Sequence, residues 1–244
     1  MATKDKKSRY FEYKEKIRRS YGQLKKAYEE VQDSYAEMVF RMALVAEYKD
    51  DATGTHLVRI ADYSTEIGRQ MGLSQKDINY LKYASVMHDI GKLVVPDAIL
   101  KKESGLTPEE RELIKKHAPL GADIFRGSRS ALLKVAKLIC LTHHERYDGT
   151  GYPNGLKGKE IPLFGRIVAL ADVFDALTSR RPYKAAYGFN EAMEMIKEQS
   201  GKHFDPDVVK VFLSCRSKIK RIWQATQDID SFVKEKAAEL HVES

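Results

Sequence analysis

The stretch YASVMHDIGKLVVP, from Tyr83 to Pro96, constrains this chain more than any other. It sets His88 directly before Asp89 after an apolar run, with Gly91 and Lys92 close behind. Such a run marks the buried end of a helix. An imidazole and a carboxylate placed there need partners, because an unpaired buried charge is very costly. The sequence offers them: His56, His117, His143, His144 and Asp172 each interrupt an apolar pattern of their own. Any one of these histidines alone reads as a structural residue. Five of the chain's seven histidines fall in the set, however, and together they read as ligands gathered around metal ions beside His88 and Asp89.

The segments around these residues read as helices. From about Tyr10 to Tyr48, the residues Tyr21, Leu24, Tyr28, Val31, Tyr35, Met38, Met42 and Val45 recur in alternating steps of three and four, a heptad seam. Two readings follow: a helix packed on its own domain, or a parallel coiled coil joining a homodimer. Lys49–His56 breaks this helix. Leu57, Ile60, Tyr63, Ile67 and Met71 then line one face of a second helix, closed by Gly72. Ser74 to Asp77 reads as a capping box for the helix that delivers His88 and Asp89. Thr107-Pro108-Glu109-Glu110 opens a helix that carries His117. Ala131 to Leu141 leads into His143-His144-Glu145 and the glycine-rich loop RYDGTGYPNGLKGKEIP. Ile167 to Leu177 is a buried helix with Asp172 and Asp175 facing inward, and Asn190 caps a further one. No strand pattern and no internal repeat emerges, so the fold class is all-α.

Composition narrows the partners. A hydrophobic share of 43% supplies a real core, and 32% charged residues imply much solvated helix surface. The net charge of +7 is concentrated in KDKKSRY, KEKIRR and RSKIKR near the ends. It reads as solvated helix faces, not as a nucleic-acid footprint, and its field suits an anionic phosphate substrate. No run approaches the roughly 18 apolar residues of a membrane span. The N-terminus is polar, with no secretory apolar region, and Cys140 and Cys215 match no metal-ligand spacing. The expectation is a cytoplasmic protein without membrane or nucleic-acid polymer as partner.

Nitrogen and carboxylate ligands without thiolates favour Fe, Mn, Co or Zn over a structural zinc cage. In an adjacent His-Asp pair, the histidine can bind one ion while the aspartate bridges to a second. Two ions roughly 3.5–4 Å apart can hold a hydroxide and stabilise both oxygens of a phosphate displacement. Neighbours on a helix point about 100° apart. His143 and His144 are therefore expected to divide, one to the metal pair and the other to a third metal or the substrate.

The strings DDATGTH, HDIGKLVVPDAIL, LTPEERELIKKHAPLGADI, HHERYDGTGYPNGLKGKEIPL, RIVALADVFDALTSRRPYK and GKHFDP, in this order over about residues 47 to 213, resemble the HD-GYP domains. These are metal-dependent phosphohydrolases of the HD superfamily that act on cyclic di-GMP. The resemblance implies a helical bundle at residues 47–244 and a helical or coiled-coil linker at 1–46. It implies that His56, His88, Asp89 and Asp172 hold one ion and that Asp89 bridges to a second, held by His117 and His143. His144 matches a position used at the additional metal of trinuclear members. Lys92 corresponds to a residue that binds the scissile phosphate or protonates the leaving oxygen. Gly151-Tyr152-Pro153 is the GYP signature, Tyr152 facing the substrate. Arg181 and Lys184 match residues that hold its phosphates and guanine. Asp50, Thr53, Gly54 and Arg59 fit the pattern as supporting residues.

Trinuclear members carry a glutamate four residues before the position of His56, where this chain has Ala52. Two divalent ions, Fe or Mn, are therefore expected. The expected reaction is hydrolysis of cyclic di-GMP to pGpG and on to GMP, with Asp89 and Lys92 in the catalytic roles. The rivals are a phosphodiesterase for another cyclic dinucleotide, a silent nucleotide-binding module and a diiron oxygenase. Glu47 and Asp175 read as groups that orient the histidines, and His203 as structural.

Overall fold

A computed structural model describes residues 2–49, 54–102, 104–179 and 186–225. Among them there is no strand, only an isolated bridge between Ser200 and Phe204, so the all-α expectation holds. No helix among them is long and apolar enough to cross a membrane. The chain divides into two compact units, Met1–Arg41 and Met42–Ser244.

The first unit is formed from helix α1, which runs from Ala2 to Tyr48 and continues into the second. Within it, Tyr21, Leu24, Tyr28, Val31 and Met38 are 61–70% exposed, so the heptad seam stands on the surface. Lys25–Glu29 and Lys26–Glu30 pairs at 3.8 and 3.6 Å line the same helix. Exposed pairs of this kind add little stability.

The second unit is built around α8 (Leu163–Thr178), whose Ile167, Val168, Leu170, Ala171 and Phe174 are buried. Against it pack α2 (Gly54–Gln70), α7 (Ala131–Thr142), α9 (Phe189–Glu198) and α10 (Pro206–Ser214). Helix α2 buries Leu57, Ile60, Tyr63 and Ile67, the face that their spacing predicts. The Phe174 ring meets Tyr63, Phe212 and Phe189 edge-on, with centroids 5.3, 5.0 and 5.8 Å away, a packing that aromatic quadrupoles favour.

Helix α3 (Gln75–Ser85) is capped by the Ser74 hydroxyl, which accepts from the Asp77 amide at 3.2 Å. A 3-10 turn, Ile90–Val94, follows, then the short α4 (Asp97–Leu100). Helix α5 (Pro108–Lys115) opens on the expected capping box. The Glu110 amide donates to the Thr107 hydroxyl, and the Thr107 amide donates to the Glu110 carboxylate at 2.8 Å. His117 is not carried by α5, contrary to expectation. The helix ends at Lys115, and His117 opens α6 (His117–Ile124). Pro119 explains the break: it has no N–H for the carbonyl of Lys115, and its ring crowds that carbonyl. Asn190 is not a cap either. Gly188 holds that position, because the helix starts at Phe189, which is buried against Phe174.

Candidate metal centre

Three of the histidines are oriented by backbone close to them in sequence. His88 leaves the end of α3, with Nδ1 2.8 Å from the Ser85 carbonyl. His117 Nδ1 lies 2.7 Å from the Ile114 carbonyl. His143, just past α7, has Nδ1 at 3.0 and 3.1 Å from the carbonyls of Ile139 and Cys140. A carbonyl only accepts, so Nδ1 carries the proton and Nε2 turns a lone pair inward. His56 on α2 is oriented differently. Its Nδ1 lies 2.7 Å from Asp175 Oδ2 on α8. Arg59, one turn along α2, grips both oxygens of the same carboxylate and also donates to Ser179 Oγ at 3.0 Å. A histidine backed by a carboxylate is the usual outer support of a metal ligand.

The Nε2 atoms converge on two acids. Asp89 Oδ1 is 3.1 Å from His117 Nε2 and 3.4 Å from His143 Nε2. Asp89 Oδ2 is 3.4 Å from His88 Nε2 and 2.7 Å from Lys92 Nζ. Asp172 Oδ1 stands 3.8 Å from His56 Nε2 and 3.9 Å from His88 Nε2. Two sets of ligand atoms result, each within 4.8 Å: Asp89, His117, His143 and His144 in one, and His56, His88 and Asp172 in the other. Asp89 turns one oxygen to each side.

The residues fit divalent cations. With Nδ1 protonated, imidazole lone pairs face carboxylate oxygens, and acceptors facing each other in a buried place are costly. Among the described residues His88 Nε2 and Asp89 Oδ1 are buried without a hydrogen-bond partner, one in each ligand set. A cation in each set would relieve both. The field has the matching sign. Burial disfavours a charged His88, yet Asp89, Asp172 and Glu47 outweigh it and raise its pKa to about 9. Burial also works against the Asp89 anion, but Lys92 and His88, with His117 and His143, hold its carboxyl far below the usual range. Burial pushes His143 and His144 down, which keeps them neutral, the form that binds metal.

Helix α7 ends at Thr142, so His143 and His144 both leave it in a turn, their rings lie 4.0 Å apart, and both belong to the Asp89 group. The Tyr152 ring stacks on His144 at 4.7 Å. The close approach of Gly151 to the backbone of His144, Glu145 and Arg146 leaves no room for a Cβ. Gly91 has the same role beside the pair: any Cβ there would run into the His117 carbonyl and the Gly121 amide. The glycine lets α6 lie against the turn that holds Asp89.

Lys92 and Tyr152 are therefore at the centre. Arg181, Lys184, Asp50, Thr53 and Ala52 lie outside the described residues. Asp175 orients a histidine as expected, whereas Glu47 makes no hydrogen bond to one among the described residues. Glu145 was missed by sequence reasoning. It is 1% exposed and accepts from the amides of Asn154 at 2.7 Å and Leu156 at 3.1 Å, tying down the glycine-rich loop. An acid directly before a loop so rich in free amides was the available signal.

A family model described as HD domain matches residues 12–208. The chain is 40% identical over 223 residues to a Thermotoga maritima protein named cyclic di-GMP phosphodiesterase, covering 90% of this chain and 61% of that one. It is 39% identical over 184 residues to a Vibrio cholerae protein named 3′3′-cGAMP-specific phosphodiesterase 2, covering 75% of this chain and 35% of that one. The chain thus spans less than two thirds of either relative. A solved structure of a cyclic GMP-AMP-specific phosphodiesterase from V. cholerae superposes with a TM-score of 0.56 at 24% identity, over 77% of this chain and 52% of that one. At that identity the likeness is one of fold.

Proposed function

This chain belongs to the HD-domain family, which is metal-dependent, and from that premise we propose that it hydrolyses the phosphodiester bonds of cyclic di-GMP to pGpG and on to GMP. One observation carries the reading: the two oxygens of Asp89 face separate sets of ligands. In this reading two ions, Fe or Mn, would be held by His56, His88 and Asp172 on one side and by His117 and His143 on the other, with Asp89 serving both sets. Such ions would supply Lewis acidity to phosphate oxygens and acidify the attacking water. The chain's own residues do the rest. Lys92, 2.7 Å from Asp89, meets the scissile phosphate and gives a proton to the departing 3′-oxygen. The stacked pair of His144 and Tyr152 forms a wall for the substrate, and Arg181 and Lys184 bind its phosphates and guanine. Residues 47–244 form the catalytic domain, and residues 1–46 form a linker whose exposed seam pairs two copies in a homodimer.

The decisive experiment is to purify the full chain anaerobically, load it with Mn or Fe, and follow cyclic di-GMP by chromatography. Conversion to pGpG and GMP that disappears in Asp89→Ala is the expected result. Metal-loaded protein that binds the nucleotide without cleaving it would overturn the enzyme reading. The similarity to a cGAMP-specific relative supports a second substrate reading. Faster turnover of 3′3′-cGAMP than of cyclic di-GMP, side by side, would favour it.

A further inference from the structure

Glu47 lies in the last turn of α1 and is 2% exposed. Among the described residues its carboxylate makes no hydrogen bond; burial raises its pKa, and the charges around it are those of His56, Asp89, Lys92 and His88. It belongs to neither ligand group. Its place is held by Lys49, whose Nζ donates to the carbonyls of Leu93 and Val95 at 2.7 and 2.6 Å and lies 3.3 Å from Asp97 Oδ1. The end of α1 is thereby clamped to the turn that follows the His88-Asp89 pair.

For folding alone, this is a poor position for an acid. A carboxylate in the last turn opposes the helix dipole, and a buried one without a donor loses its hydration uncompensated. Packing does not require a charge there, and no histidine is oriented by it. A cation nearby would turn both penalties into attraction. The group His56, His88 and Asp172 contains a single carboxylate of its own, so a second negative charge nearby complements the cation it would hold.

We propose that Glu47 is a charge-supplying residue of the metal centre, whose carboxylate, held outside the ligand sets by the last turn of α1, stabilises the cation bound by His56, His88 and Asp172. The inference rests on the metal-binding reading above and adds a residue to it. It also makes the end of α1 part of the centre, so that a change in that turn alters metal affinity.

The test uses the full chain and its isosteric variant Glu47→Gln, with Glu47→Asp as the charge-conserving control. Mn²⁺ binding is followed by calorimetric titration, and thermal melts are recorded without metal and with saturating Mn²⁺. The expected result is that Glu47→Gln melts no lower than wild type without metal and loses affinity at one ion by about 10–100-fold, the range for removing an outer partner of a metal site. Its Mn²⁺-induced rise in melting temperature shrinks accordingly. Glu47→Asp keeps most of the affinity. Wild-type affinity in Glu47→Gln would overturn the proposal, as would a lower metal-free melt with an unaltered Mn²⁺-induced rise, which is the mark of a structural role. Wild-type protein that binds no divalent ion would overturn both this proposal and the reading of the centre, so the two failures are distinguishable.

Discussion

His117 and His143 owe their orientation to carbonyls three or four residues upstream, whereas His56 owes its own to Asp175, 119 residues further along the chain. The two sides of the centre are thus built by different means. On the Asp89–His117–His143 side, each imidazole is set by the end of a helix, and the arrangement is largely local. On the His56–His88–Asp172 side, α2 must pack on α8 before Asp175 can reach His56 and Arg59. The ring orientations therefore have unequal tolerances: that of His56 depends on the packing of α2 on α8, whereas those of His88, His117 and His143 are set within a few residues.

The largest effect is expected where the two halves meet. Asp89→Asn removes the shared carboxylate, so metal analysis should find both ions lost and turnover reduced at least about 10²–10³-fold, the scale of losing one electrostatic contributor in an active site. One ion retained at full affinity would show that Asp89 is not shared.

Asp175→Asn should break the comparison on one side only. Without the anionic partner of His56, one ion should bind about 10–100-fold more weakly while the other is unchanged. Equal losses at both ions, read by titration, would mean that the two halves are not independent.

Gly91→Ala tests the local side through its backbone. The added methyl meets the His117 carbonyl and the Gly121 amide, which a short shift cannot avoid. The overpacking should cost about 1–3 kcal/mol in urea denaturation of the metal-free protein. An unaltered midpoint would contradict the close approach of α6.

His203 sharpens the comparison as a half-buried histidine outside both ligand sets. Burial first, then the Arg146 charge, lowers its pKa from the ordinary 6.5 to about 4. Below the unfolded value the unfolded chain takes up a proton that the folded one refuses. Its contribution to stability is therefore present above pH 6.5 and lost as the pH falls toward 4. Between about pH 7.5 and about pH 5, wild type should lose more stability than His203→Gln. Parallel losses would show that this histidine is not held neutral.

How much of this was legible in the sequence follows the same division. Helix class, the N-cap at Ser74, the capping box at Thr107 and the buried face of α2 depend on neighbours within a few residues, and their spacing determines them; at Ser74 the cap runs one way only, because no bond returns from the Asp77 side chain to the Ser74 amide among the described residues. The candidate ligands were legible because a His or Asp set into an apolar run loses its hydration on folding, a loss that only a partner or a cation offsets. The break at Lys116 was written in Pro119 but masked by the apolar pattern around it. The start of α9 was decided by the burial of Phe189 against Phe174, a contact no local signal announces.

What only the tertiary structure decided is which groups act together. The convergence of His143 and His144, the two faces of Asp89, the loop anchor at Glu145 and the burial of Glu47 all depend on where helices end and which others lie against them. Sequence determines which residues can bind a cation, since that is a property of the side chain. Packing determines which lone pairs face one another, since that is set by distances between segments far apart in the chain.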